Sequence, residues 1–282
     1  MKFGLFGIGS GKCSDPEVAV RVARAAEAAG FDSVWSGEHV VLPDPQRPPS
    51  PVPPHFAMLD PLVALTYIAA HTTTLRLGTG IIILPQRNPL VLAKELASLD
   101  VVSRGRLIFG VGVGYLRAEF DALGIPFERR GERTTDYIRA IRAIWTQAEP
   151  AYDGPFARFS GIQAKPSPLQ RAGPPVVIGG HSTAAFRRAV EHGSGWFGFA
   201  LDADKTRECL AGIQQASSEY QRPPELGELE ISVAPLVAPT ADEVHRFEDL
   251  GVDRMVLLIP GGRKPDEIVD FIEKVGALVG PS

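Results

Sequence analysis

The chain has 282 residues, a net charge of −4, and 44% hydrophobic and 22% charged residues. The length suits one α/β barrel of about 250 residues with insertions. The charge balance and a pI near 5.9 argue against nucleic acid or an anionic membrane surface as the main partner. Cys13 and Cys209 stand in no metal-like or CxxC spacing and read as free thiols of a reducing cytoplasm. The chain enters a strand-like segment at Lys2, which leaves no room for a signal peptide, and no apolar run reaches the ~18 residues of a membrane helix.

The first strand reads Phe3–Ile8. Ser14-Asp15-Pro16-Glu17 reads as a capping box with Pro in the first turn. The helix it opens turns Val18, Val22, Ala25 and Ala29 inward, and Gly30 closes it. Ser33–Ser36 is the second strand. Pro43–Pro54 is too rich in proline for a helix or an interior strand, and a loop of that length in a barrel rims or covers the site. Asp60-Pro61 opens the second helix.

The apolar run Arg76–Leu84 predicts one third strand. Asn88-Pro89 starts a helix with Val91, Leu92, Leu96 and Leu99 inward. Arg106–Val111 is the fourth strand, with a short helix near Ala118–Leu123 and a longer one near Glu132–Trp145. The stretch Ala151–Ala172, rich in Gly, Pro, Ser and Arg, reads as an insertion with little regular helix.

Strands at Pro175–Ile178, Gly195–Phe199, Glu230–Val237 and Arg254–Ile259 complete the series. Helices at Ser182–His192, Ala203–Tyr220, the Thr240–Glu243 capping box up to Gly251, and Asp266–Val279 separate and follow them. The last helix buries Ile268, Ile272 and Val275. Eight strand–helix units without a linker predict a single (β/α)8 TIM barrel over residues 1–282, with loop insertions at the C-terminal rim. The alternative is an open doubly wound sheet.

The barrel reading directs attention to strand C-termini. Glu38-His39 follows the second strand; a histidine there can give or take a proton near neutral pH, or simply hydrogen-bond within its loop. In Gly78-Thr79-Gly80-Ile81, glycines at a strand end permit close approach of a flat ligand, or a tight corner. Gly110-Val111-Gly112-Val113-Gly114 lacks the GxGxxG spacing of a dinucleotide fingerprint. It reads better as a wall against a ring system, with Arg117 or Glu119 as polar anchors or as a solvated helix face. Gly179-Gly180-His181-Ser182 joins a strand to a capped helix start, which suits a phosphate or a plain αβ turn.

The six histidines form no ligand cluster or HExxH, so no metal site is predicted. There is no GxSxG elbow and no strand-end lysine in a Schiff-base position. Gly-rich walls, one rim histidine and one phosphate turn together suit a phosphorylated organic cofactor. A sugar-phosphate isomerase or lyase barrel without a coloured cofactor is the alternative from another class.

Four segments in order resemble the bacterial-luciferase-like flavin and deazaflavin oxidoreductases: Phe31–His39, Leu77–Ile81, Gly105–Gly114 and Val177–Gly180. The subgroup that uses coenzyme F420 is most similar, chiefly through Gly112–Phe120. The resemblance implies an F420-dependent oxidoreductase that transfers a hydride between the deazaflavin and a small organic substrate. The alternative it implies is an FMN-dependent luciferase-like monooxygenase, supplied with reduced flavin by a partner reductase.

The resemblance further implies a ring in the barrel mouth backed by a non-proline cis peptide, Gly80–Ile81 here. His39 becomes the proton-handling residue, with Glu38 against the cofactor. Thr79, Gly80, Ile81, Gly112, Val113, Gly114 and Glu119 surround the ring, and Gly179, Gly180, His181 and Ser182 hold the phosphate. A cytoplasmic homodimer is expected. The family's sugar-phosphate dehydrogenases carry a Trp shortly after the His and a Glu after the Gly-rich turn. Pro43 and Tyr115 stand in those regions here, so their substrate is not carried over. Tyr115 becomes a hydroxyl donor near the substrate, or an apolar wall.

Overall fold

Parallel strands close on themselves into a barrel in the computed structural model, which describes residues 1–279. The strands are β1 (Lys2–Phe6), β2 (Ser33–Ser36), β3 (Arg76–Thr79) with its continuation β4 (Ile82–Ile83), and β5 (Leu107–Gly112). After a small hairpin, β6 (Tyr152–Asp153) and β7 (Arg158–Phe159), come β8 (Val176–Gly179), β9 (Gly195–Phe199), β10 (Glu230–Ala234) and β11 (Arg254–Leu258). Closure comes from β11 pairing with β1, Lys2 opposite Arg254, and from β3 pairing with β5, Leu77 opposite Leu107. The architecture is a (β/α)8 TIM barrel rather than an open sheet.

Helices α1 (Pro16–Ala28), α2 (Pro61–Ala69), α3 (Pro89–Val102), α4 (Arg117–Ala122), α5 (Arg130–Thr146), α6 (Thr183–His192), α7 (Ala203–Glu219), α8 (Ala241–Asp249) and α9 (Pro265–Val279) run alongside. Strand residues alternate between two cores, because successive side chains point to opposite faces. Leu5, Val34, Leu77, Phe109, Val111, Trp196 and Met255 face the helices in the larger core. Trp35, Ile108, Val177, Phe197, Ala234 and Val256 fill the barrel interior, where Trp35 and Phe197 stack with centroids 5.2 Å apart. Gly78 faces this layer as well, and a Cβ there would run into the Trp35 indole.

Below that layer the interior is ionic. Arg254, fully buried, donates to Asp32 at 2.9 Å and to Glu230, and Lys2 reaches Glu230 at 2.9 Å. An aromatic plug separates this charge cluster from the mouth.

Local chemistry explains most helix starts. Asp60, Asn88, Ser182 and Thr240 each cap their helix through a side-chain oxygen, and Thr240 with Glu243 forms the full reciprocal box. At the first helix the cap is Asp15, whose carboxylate accepts from Glu17 and Val18 N–H at 2.9 and 3.1 Å. Ser14 instead closes a short 3-10 turn by donating to the Gly11 carbonyl at 2.7 Å.

Several expectations need correction. The third strand is not continuous to Leu84: it breaks at Gly80–Ile81, whose peptide is cis, resumes for Ile82–Ile83, and ends in a 3-10 turn at Leu84–Gln86. Val91 points to solvent, 57% exposed, since Leu92, Leu96 and Leu99 already fill the inward stripe of α3. The seventh barrel strand stops at Ala234, and Leu236 and Val237 are exposed. In α1 the fully buried positions are Ala19, Val22, Ala23 and Ala26, with Val18, Ala25 and Ala29 only partly covered. The 151–172 insertion contains the β6–β7 hairpin, held by Asp136, which accepts from the Tyr152 hydroxyl at 2.6 Å and the Phe156 amide at 2.9 Å.

The Pro-rich loop ends by pairing with the loop after β1. Gly11 N–H donates to the Ala57 carbonyl and Leu59 N–H to that of Gly9, at 2.9 and 2.8 Å. This anchors the far end of the loop beside the mouth.

Candidate active site

The mouth lies above the aromatic plug, at the C-terminal ends of the strands. Phe6, Ile81 and Leu258 pack partly buried on top of the interior layer, and Phe199 stands at the rim, 37% exposed, with its ring 5.2 Å from that of Phe6. Ile81 is seated on glycine. A Cβ on Gly112 would strike its Cγ1 at 2.9 Å, and one on Gly179 would meet its Cγ2 at 3.0 Å. Gly110 leaves room for the Thr79 carbonyl, and Thr79 Oγ1 donates back to the Gly110 carbonyl at 2.7 Å. The glycines at β5 and β8 thus make space for the β3–β4 break. Gly114, at positive φ, accommodates Ile83 and the Phe120 ring.

His39 projects from the loop after β2 with a side chain 9% exposed. Its Nδ1 lies 3.2 Å from Glu119 Oε2, and the other oxygen of Glu119 accepts the Val40 N–H at 2.6 Å. Glu119 sits in the first turn of α4 with its side chain fully buried. A carboxylate only accepts, so this contact places the imidazole proton on Nδ1. Nε2 then faces the Tyr115 hydroxyl at 3.4 Å, with the two rings edge to face, 5.9 Å apart. Tyr115 is 49% exposed. Burial, and secondarily the Glu119 charge, raise its phenol above the ordinary value.

Glu38 has a different setting from its neighbour. Its side chain is 2% exposed; it accepts the Ile83 N–H at 2.6 Å and the Arg87 Nε–H at 2.8 Å. Arg87 also pairs with Asp60, the cap of α2. Burial works against the Arg87 cation, but the Glu38 and Asp60 carboxylates outweigh it and push the guanidinium above its ordinary value. Glu38 therefore buttresses the segment beyond the Gly80–Ile81 break, with both carboxylate oxygens engaged inside the protein. Arg87 had no signal in the sequence: it is a lone arginine in a turn, and its role depends on partners 27 and 49 positions away.

Across the mouth, Gly180 adopts φ +119° and its carbonyl accepts the Trp196 indole N–H at 2.8 Å. His181, Ser182, Thr183 and Ala184 are exposed at the start of α6. Ser182 caps the helix by accepting the Ala185 N–H at 3.3 Å. The first-turn amides of such a helix have no intrahelical acceptor and point toward the rim.

Of the residues singled out from the sequence, His39, Glu119 and Tyr115 form one hydrogen-bonded chain. Gly80, Ile81, Gly112 and Gly179 form one packed unit beside it. Gly180, His181 and Ser182 stand apart at the α6 turn, and Val113 lies between the two glycines of the β5 turn. Among the described residues no three His, Cys, Asp or Glu side chains group closely enough to hold a metal ion. No described helix is long and apolar enough to cross a membrane.

Residues 2–249 match the sequence model of the luciferase-like monooxygenase family, and the chain belongs to that family. A protein of Mycobacterium tuberculosis with no characterised function is 30% identical over 287 residues, covering 98% of each chain. Solved structures that share the fold include two enzymes. One is the monooxygenase RslO1 from Streptomyces bottropensis, with TM-score 0.80 and 22% identity over 99% of this chain and 98% of that one. The other is an F420-dependent secondary alcohol dehydrogenase in complex with an F420-acetone adduct, with TM-score 0.81 and 16% identity over 99% of both chains.

Proposed function

We propose that the chain is an F420-dependent oxidoreductase that moves a hydride between the deazaflavin and a small organic substrate. The carrying observation is His39, held between Glu119 and Tyr115 at the edge of an apolar mouth. The residues present fit such a ring system. Ile81, Phe6 and Leu258 offer an apolar surface above a sealed floor, and the exposed amides at the start of α6 suit a phosphate.

In this reading Ile81 and its glycine seat back the ring, and the Gly180–Ser182 turn holds the phosphate. A deazaflavin bound there supplies a carbon that gives or takes a hydride, as two electrons at once. The chain's own part is to orient the ring and to keep water out with the anchored Pro-rich loop. It also offers an acceptor for a proton at His39 Nε2 and holds one at the Tyr115 oxygen. The F420-dependent alcohol dehydrogenase of the same fold supports this reading.

The monooxygenase RslO1, of similar structural likeness, supports a second reading as a monooxygenase, which in this chain would use reduced FMN from a separate reductase and oxygen. We further propose a homodimer in the cytoplasm; exposed Val63 and Tyr67 on α2 and Val91 on α3 offer an apolar face for a second copy. Difference spectra with F420 and FMN side by side test the assignment. Saturable binding of F420 near micromolar concentrations supports the first reading. Binding of FMN alone, with oxygen-dependent turnover, replaces it by the second, and binding of neither rejects both.

A further inference from the structure

We propose that the Tyr115 hydroxyl is the group that exchanges a proton with the substrate, that His39 stores this proton, and that Glu119 is the positioning residue that sets the imidazole tautomer. The inference deepens the oxidoreductase reading above and rests on it for the substrate, but its structural half stands on the protein alone.

Three observations converge. The three side chains grade from buried to open: Glu119 is fully buried, His39 nearly so, and Tyr115 half exposed. Only Tyr115 can meet a ligand freely, and its contact with Nε2 connects it to the buried pair. Glu119 is held from two sides, by the Val40 N–H and by His39 Nδ1, so it cannot turn away without giving up both contacts. Finally, a carboxylate at position 115 would set a second negative charge near Glu119, whereas a phenol donates or accepts and stays neutral. Burial, and secondarily the Glu119 charge, raise that phenol further above its ordinary value.

The step is a proton transfer at a substrate hydroxyl or at the carbonyl derived from it. In the oxidising direction the substrate O–H bond breaks and its proton forms a new O–H on Tyr115. The former Tyr115 proton forms an N–H at His39 Nε2, and Glu119 balances the resulting imidazolium. A bound deazaflavin would supply the acceptor for the hydride from the substrate carbon, so that a neutral alcohol would become a neutral carbonyl. Reduction runs the same proton path backwards.

The test combines nitrogen-15 NMR of the histidine side chains in the cofactor-free protein with kinetics of Tyr115→Phe and Glu119→Gln. Assignment uses His39→Gln. We expect His39 as the Nδ1–H tautomer, a displaced Nε2 resonance in Tyr115→Phe, and a mixture of tautomers in Glu119→Gln. With the bound ring cofactor and an alcohol or carbonyl substrate, Tyr115→Phe lowers kcat roughly 10²-fold, while KM and cofactor affinity stay within about threefold.

An Nε2–H tautomer in the parent protein, or unchanged His39 resonances in both variants, overturns the relay. A kcat within about threefold of the parent in Tyr115→Phe removes the tyrosine from the chemistry. If the parent chain binds neither ring cofactor, the oxidoreductase reading fails by itself, and the NMR result still decides whether the relay exists.

Discussion

The side chain of Ile81 occupies the space that a Cβ on Gly112 would need. Two chain segments that meet nowhere in sequence are thereby fitted together at the mouth. The fit leaves no slack: Gly179 crowds the same isoleucine from the next strand.

Gly112→Ala is therefore expected to drive Ile81 out of its seat. Overpacking of this kind costs about 1–3 kcal/mol, which a denaturant titration can read. The displaced side chain enters the mouth, so affinity for the ring cofactor falls at least tenfold. A stable variant with unchanged cofactor affinity would show that Ile81 does not back the ring.

The Glu38–Arg87 pair makes a separate prediction. Glu38→Ala leaves the Ile83 amide without its acceptor and the largely buried Arg87 guanidinium with Asp60 alone. Removing one partner of such a pair costs about 3–5 kcal/mol. Equilibrium unfolding in urea should show this loss. Cofactor binding in the surviving folded fraction should weaken only through displacement of the Ile82–Ile83 segment.

His192, at the end of α6, gives a pH signature. Burial, then the neighbouring Arg139 and Arg142, lower its pKa to about 4. The unfolded chain has an ordinary histidine near 6.5. Below about pH 6.5 the unfolded state takes the proton first, so this site costs stability progressively down to about pH 4, and the cost then levels off. His192→Gln should flatten the urea midpoint between those two values. An unchanged slope would mean that other groups dominate acid sensitivity there.

Glu27 works in the next window down. One of its oxygens accepts the N–H groups of Thr73, Thr74 and Leu75 at 2.8, 2.6 and 3.1 Å, tying α1 to the start of β3. Burial opposes the charge, but these hydrogen bonds outweigh it and hold the carboxyl at about 2. Its contribution is complete above the unfolded value of about 4.3 and is lost as pH falls toward 2. Glu27→Ala should lower stability at neutral pH by about 1–2 kcal/mol, allowing for its partial exposure. The difference from the parent should vanish near pH 2.

What could be read from the sequence was local. Asn88-Pro89, Asp60-Pro61 and Thr240–Glu243 announce helix starts by chemistry contained within four residues. The strand–helix rhythm announces the barrel. The misreadings have the same cause in reverse. Ser14 and Asp15 are both competent caps, and only the Gly11 carbonyl decides between them. Within Arg76–Leu84 the only polar side chains are Arg76 and Thr79, so hydropathy alone does not mark its break at Gly80–Ile81. Val91 is as hydrophobic as Leu92 but falls on the outer side of α3.

The candidate site divides the same way. His39 was legible from its place after a strand. That Glu119 and Tyr115 would be its partners was not, since they lie 80 and 76 positions away. Glu38, adjacent to His39 in sequence, turns into the protein and serves Arg87 and Ile83. Neighbours on the chain acquire opposite duties because consecutive side chains leave a strand end in different directions.

The stacked rings of Trp35 and Phe197 make the molecule a cup, not a tube. Whatever enters must leave by the same opening, and a second reactant cannot arrive from beneath while the first is in place. Traffic is thus confined to one side of the molecule by an indole and a phenyl face stacked beneath it.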